Sequence, residues 1–162
     1  LLELNAVCGG PQDAHVVGID VDIREHNRVA IEEHPLARRI TMVEGSSIDP
    51  AVIHSVRAMT KGRQNVLVCL DSDHSHQHVL AELEAYAPFV TVGSYCVVFD
   101  TIIEDLSEEY LELTGRFWRP GDSPRSAITD FLAKEPRFVV DDSMSNRLMI
   151  TTARGGYLRR VE

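Results

Sequence analysis

The stretch running Val66, Leu67, Val68, Cys69, Leu70, Asp71, Ser72, Asp73, His74, Ser75, His76, Gln77, His78 constrains this chain more than any other. Its apolar half, residues 66–70, is short and bounded on both sides, the signature of a strand buried on both faces. It stops at two carboxylates and a histidine. Val79, Leu80, Leu83 and Tyr86 then recur at spacings of three and four, which predicts a helix. Strand, polar corner and helix make half of a βαβ unit. In open α/β sheets ligands bind outside the carboxyl ends of the strands. Asp71, Asp73 and His74 therefore stand where chemistry is expected.

The remaining chain repeats this alternation. Leu1, Leu2 and Leu4 read as the end of a helix, which Gly9, Gly10 and Pro11 break. A strand over residues 15–20 ends in Asp20, with Asp22 just beyond. A helix over 24–34 closes at Pro35. The strand 40–44 ends in Glu44 and is followed by Gly45, Ser46 and Ser47. Asp49 is an N-cap with Pro50 at the first helical position. Residues 95–100 form another strand ending in acid, Asp100. Tyr110, Leu111 and Leu113 suggest one helical turn, and Phe117 with Trp118 falls in a loop. Ser123 and Pro124 open a helix carrying Ile128, Phe131 and Leu132. Residues 138–140 and 148–151 read as two strands around a polar hairpin or loop, and the tail 155–162 as a short extension. This order predicts one α/β domain over residues 1–162, with a mostly parallel sheet and an antiparallel strand at its edge.

Composition narrows the function. A net charge of -9 argues against a phosphate-backbone binder, so no nucleic-acid partner is expected. No apolar run reaches the ~18 residues of a membrane span, so no membrane partner is expected either. Cys8, Cys69 and Cys96 are odd in number and widely spaced. Two lie in strand-like runs and read as buried free thiols of a cytoplasmic protein.

Four strands end in acid: Asp20, Glu44, Asp71 and Asp100. Right-handed crossovers would bring all four to one sheet edge. Any one of them is equally readable as a cap or turn residue. Asp20, with Asp22 as the alternative, lies where nucleotide-binding sheets place an acid on ribose hydroxyls. Asp71 and Asp100, on adjacent strands, are able to share a hard cation such as Mg²⁺, or to be two solvated carboxylates. His74, His76 and His78 have poor spacing for zinc, because on a helix His76 would point away from the other two. His74 remains a candidate base or substrate contact. Trp118 is either a lid with Phe117 or the anchor of a long loop. No G-x-G-x-x-G, P-loop or nucleophile elbow is present.

Taken in order, Val17-Gly18-Ile19-Asp20-Val21-Asp22, Glu44-Gly45-Ser46-Ser47, Leu70-Asp71-Ser72-Asp73-His74, Gly93-Ser94-Tyr95-Cys96-Val97-Val98-Phe99-Asp100-Thr101 and Gly155-Gly156-Tyr157-Leu158 resemble the cephalosporin hydroxylase / rhamnosyl O-methyltransferase family. The resemblance covers nearly the whole chain. It implies a Rossmann-like class I methyltransferase fold and S-adenosylmethionine as cofactor. It also implies a small-molecule acceptor, a sugar or a secondary metabolite. Asp20 would bind ribose, and Glu44, Gly45, Ser46 and Ser47 would lie near the adenosine. Asp71 and Asp100 would hold Mg²⁺, and Asp71 or His74 would take the proton of the acceptor hydroxyl.

Two departures from the family pattern carry expectations. Phe99 stands where the family has Glu, and Phe cannot ligate a metal. Either Asp73, Glu104 or Asp105 substitutes, or the metal site is weakened. The family also has a strand and a glycine-rich loop before the helix that here begins at Leu1. That strand lies between those ending at Asp20 and Leu70, so an N-terminally incomplete copy of the domain is expected. The oligomeric state is left open, a homo-oligomer included.

Overall fold

A computed structural model describes residues 2–116 and 118–162. Leu1, and Phe117 with the role expected of it, lie outside the described residues. The chain divides into two compact units, Leu1–Val56 and Arg57–Glu162.

The first unit contains α1 (Leu2–Val7), β1 (Val16–Asp20), α2 (Glu25–Glu32), a 3-10 turn at Ala37–Arg39, and β2 (Ile40–Glu44). α3 (Pro50–Thr60) begins here and ends in the second unit. β1 and β2 pair in parallel from Val16 opposite Ile40 to Asp20 opposite Glu44. The Gly45 amide extends the ladder by donating to the Asp20 carbonyl at 2.8 Å. Gly45 has φ 149°, and a Cβ there would meet Val52 Cγ2 at 3.0 Å. A larger residue would be strained in backbone and crowded in space. Asp49 accepts from the Ala51 amide at 2.7 Å, so the predicted cap forms ahead of Pro50.

The second unit holds a four-stranded sheet. Its strands are β3 (Val68–Leu70), β4 (Tyr95–Val98), β5 (Phe138–Val140) and β6 (Tyr157–Arg160), in the order β3-β4-β6-β5. β3 and β4 are parallel, and β6 runs antiparallel to both β4 and β5. The helices are α4 (His76–Tyr86), α5 (Glu108–Thr114), α6 (Pro124–Lys134) and α7 (Asp142–Leu148). α4 packs against α6. Leu83, Val90, Cys96, Ala127 and Leu158 are fully enclosed. Each large aliphatic side chain buried this way contributes about 1.5–3 kcal/mol. Burial pushes the Cys96 thiol well above its ordinary range. α6 opens on a capping box between Ser123 and Ser126, with Pro124 in its first turn.

The α/β class and the parallel pairs agree with a Rossmann-like arrangement, with several corrections. The described strands form two sheets, not one, and β1 and β3 each have a single strand neighbour. The antiparallel strand is internal, between β4 and β5, not at the edge. It is the tail, residues 157–160, and not the predicted strand at 148–151. Asp141 caps α7 by accepting from the Ser143 amide, which turns the expected hairpin into a helix. Met149 and Ile150 beyond it are exposed, whereas Tyr157 and Leu158 are buried. Residues 66–70 are not buried on both faces: Leu67 and Cys69, which share one face by alternation, are exposed, while Leu70 is buried. Cys8 is exposed as well, and only Cys96 is a buried thiol, although all three cysteines are free. The single turn expected near Tyr110 is a full helix, α5, capped by Ser107.

Candidate active site

β3 ends at Leu70, opposite Val98 of β4, and the Phe99 amide donates to the Leu70 carbonyl at 3.0 Å. Asp71 and Asp100 therefore leave neighbouring strand ends. Asp100 adopts a left-handed backbone, φ 53° and ψ 25°, as the chain turns into the 3-10 helix Thr101–Asp105. Aspartate tolerates that conformation better than most residues. His74 does not lie on α4, which starts at His76, but in the corner before it. Its Nε2 is 3.4 Å from Asp100 Oδ2. Asp71, His74 and Asp100 each offer one ligand atom, and these atoms all lie within 4.8 Å of one another. Asp71 is exposed, and the other two are half-buried.

The corner that carries His74 is held from two directions. Asp73 accepts from the Ser75 amide at 2.8 Å, closing a turn. Hydrogen bonds from the Ser75 hydroxyl and then from its amide hold the Asp73 carboxyl below its ordinary range. The Ser72 hydroxyl donates to Glu82 Oε1 at 2.7 Å. Glu82 is 2% exposed, and its Oε2 has no hydrogen-bond partner among the described residues. His78 Nε2 stands 3.5 Å from Oε1.

Trp118 reaches the same corner. Its indole meets the His74 ring edge-on, with centroids 5.3 Å apart and planes at 89°. The Arg116 guanidinium sits 4.8 Å from the indole centroid. Trp118 is thus half-buried against the histidine rather than anchoring its loop in the core.

The carboxylates expected to stand in for the missing Glu are engaged elsewhere. Asp73 forms its turn. Glu104 accepts from the Gly121 amide at 3.0 Å and from the Ser123 hydroxyl. Asp105 takes a forked pair from Arg125 at 2.6 and 2.9 Å. Phe99 packs against Val97, Ala153 and Tyr157 and offers nothing to the cluster.

His76 does not belong to the cluster either. Its amide donates to Asp122 at 2.8 Å, and its ring lies 2.8 Å from Ser126 Oγ and 3.4 Å from Asp130 Oδ2. His76, Ser126 and Asp130 border an open cavity of about 320 Å³. The serine–histidine–aspartate order resembles a nucleophile relay. However, Ser126 Oγ already donates to the Ser123 carbonyl and accepts from its amide as part of the α6 cap. A hydroxyl held in that way is a structural brace.

In the first unit the strand-end acids are also paired. Asp20 stands opposite Glu44, and both are exposed. Asp20 Oδ1 accepts from the Asp22 amide at 3.0 Å, which leaves Oδ2 for another donor. Arg28 donates to Glu44 at 2.5 Å. Asp22 is exposed, while Gly45, Ser46 and Ser47 follow β2 half-buried.

Sequence reasoning missed Glu82. The signal was available, since a carboxylate stands on the α4 face that carries Val79, Leu83 and Tyr86. It also left Trp118 undecided, because no local pattern reports a ring contact across the intervening residues.

A family model described as rhamnosyl O-methyltransferase/CmcI matches residues 2–161. Among curated proteins, a rhamnosyl O-methyltransferase of Mycobacterium tuberculosis H37Rv is 34% identical over 131 residues, covering 78% of this chain and 50% of the relative. One from Mycobacterium bovis matches to the same extent. One from Mycobacterium leprae is 37% identical over 70 residues, covering 41% of this chain and 31% of the relative. The chain spans about half the length of the first two. No solved structure matches with significance. Among the described residues no helix is long and apolar enough to cross a membrane.

Proposed function

The chain belongs to the rhamnosyl O-methyltransferase/CmcI family, and from this we propose that its protein methylates a hydroxyl of a small molecule, a sugar such as a rhamnosyl group, using S-adenosylmethionine. The observation that carries this reading is the cluster of Asp71, His74 and Asp100 at the ends of two parallel strands. The acceptor oxygen would attack the methyl carbon as the bond to sulfur breaks. S-adenosylhomocysteine leaves, and the hydroxyl proton passes to Asp71 or His74. Much of the rate would come from holding acceptor and methyl in line.

Asp71 and Asp100 would hold a divalent cation, and two carboxylates alone suit Mg²⁺. A cation there supplies the charge that lowers the pKa of the acceptor hydroxyl. Asp20 Oδ2, without a partner among the described residues, suits a ribose hydroxyl, with Asp22 as the alternative. Glu44, Gly45, Ser46 and Ser47 would border the adenosine, with Glu44 braced by Arg28. Three free cysteines fit a reducing compartment such as the cytoplasm.

A second reading, a binding homologue with impaired catalysis, is favoured by Phe99, which turns into the core instead of toward the cluster. Incubation of the protein with methyl-labelled S-adenosylmethionine and a rhamnoside, with and without chelator, separates the two readings. Label on the sugar that disappears with chelator and in Asp71→Asn supports the enzyme. Tight cofactor binding without any transfer supports the impaired homologue.

A further inference from the structure

We propose that His74 is the third protein ligand of the cation site, which leaves the acceptor proton to Asp71, and that the site consequently prefers a first-row transition dication over Mg²⁺. The inference deepens the reading just given and rests on its claim that a cation binds at Asp71 and Asp100.

Inside the second unit the other candidate ligands are engaged elsewhere. Phe99 packs against Val97, Ala153 and Tyr157. Asp73 is tied to Ser75, Glu104 to Gly121 and Ser123, and Asp105 to Arg125. Among the described residues, the group that joins the two carboxylates is the imidazole of His74. Its Nε2 is 3.4 Å from Asp100 Oδ2, and the three ligand atoms lie within 4.8 Å. Ligand atoms about 2.0–2.2 Å from a common centre stand about 3–4.4 Å from one another. The observed spacing thus needs only a small closure to surround an ion.

His74 is also oriented for this role. Its ring is braced edge-on by Trp118, and its backbone belongs to a corner fixed through Asp73–Ser75 and Ser72–Glu82. Ligands held by supporting contacts of this kind bind metal more tightly than mobile ones.

The donor set then decides the ion. Mg²⁺ takes oxygen ligands and keeps several waters. Imidazole nitrogen adds little for Mg²⁺, somewhat more for Mn²⁺ and much for the ions from Fe²⁺ to Zn²⁺. Exchanging a family carboxylate for a histidine should therefore shift the preference toward those ions, with Asp71 and Asp100 retained.

The test uses the intact protein and two probes, Mn²⁺ by pulsed electron paramagnetic resonance and Co²⁺ against Mg²⁺ by calorimetry. The wild-type protein is expected to show nitrogen coupling from one bound imidazole on Mn²⁺, absent in His74→Ala. That variant should bind Co²⁺ at least about tenfold more weakly, while its Mg²⁺ affinity changes less than about threefold. If His74→Ala fails to fold, the wild-type spectrum alone decides. Mn²⁺ bound in an Asp71-dependent manner without nitrogen coupling would overturn the role of His74 and leave the carboxylate site standing. No binding of any of the three ions, with S-adenosylmethionine still bound, would remove the cation from the functional reading and this inference with it.

Discussion

The Ser72 hydroxyl donates a 2.7 Å hydrogen bond to Glu82 Oε1, joining the corner between β3 and α4 to a carboxylate buried on the helix itself. Ser72 stands between the two acids of that corner. A buried carboxylate is retained only where its partners reward it, and here the partner holds the segment that presents Asp71 and His74. Glu82→Ala removes the acceptor and leaves a void. It is expected to lower stability by about 1–3 kcal/mol. Glu82→Gln keeps an acceptor for Ser72 and should lose much less. Urea melts of both variants check this, and equal losses would mean that the hydrogen bond does not hold the corner.

Phe99 carries a second prediction. At the level of sequence, an acid at this position looks like a missing metal ligand whose restoration would tighten binding. In the fold the ring packs against Val97, Ala153 and Tyr157. Phe99→Glu would force a carboxylate against that apolar group and is expected to lower the thermal midpoint. Metal affinity should not rise. Calorimetry showing tighter Mg²⁺ binding at unchanged stability would mean that the side chain can swing to the cluster.

The difference between those two expectations shows which features are legible in sequence. β2 is found at its predicted ends, β1 within a residue of its own, and α6 starts at the predicted Ser123–Pro124 pair, because these are local signals, as is the Asp49 cap. The strand-end acids are legible too, since a strand that stops in Asp71 or Asp100 announces its own end. The last strand is not. Residues 148–151 (Leu148, Met149, Ile150, Thr151) are more apolar than residues 157–160 (Tyr157, Leu158, Arg159, Arg160), yet the latter form the strand, paired with β4 and β5. The exposed face of Cys69 is equally hidden, because what covers each face of β3 is decided by tertiary packing and not by the local apolar run. The third member of the cluster required the αL turn at Asp100 to bring a carboxylate to His74.

A pH prediction follows from Asp105. The hydrogen-bonded Arg125 guanidinium, with Arg154 farther off, holds its carboxyl below the ordinary range. A depressed folded-state pKa adds stability above the unfolded value of about 4, and that stability is lost as pH falls through the folded value. Asp105→Asn should therefore melt below wild type at pH 6, with the gap closing as pH drops below 4. The effect is modest, since both partners are about one-third exposed. A gap that stays constant across this range would assign the loss to packing instead.

The claim on which the functional reading depends is that the ends of β1 and β2 take the ribose of S-adenosylmethionine through Asp20. Calorimetric titration of the intact protein with S-adenosylmethionine tests it most directly, comparing wild type with Asp20→Ala. Losing a hydrogen bond to a charged acceptor costs about 1.5–3 kcal/mol, so the variant is expected to bind about 10- to 100-fold more weakly at equal thermal stability. Equal affinity in the two proteins, or no binding by the folded wild type, would contradict the account.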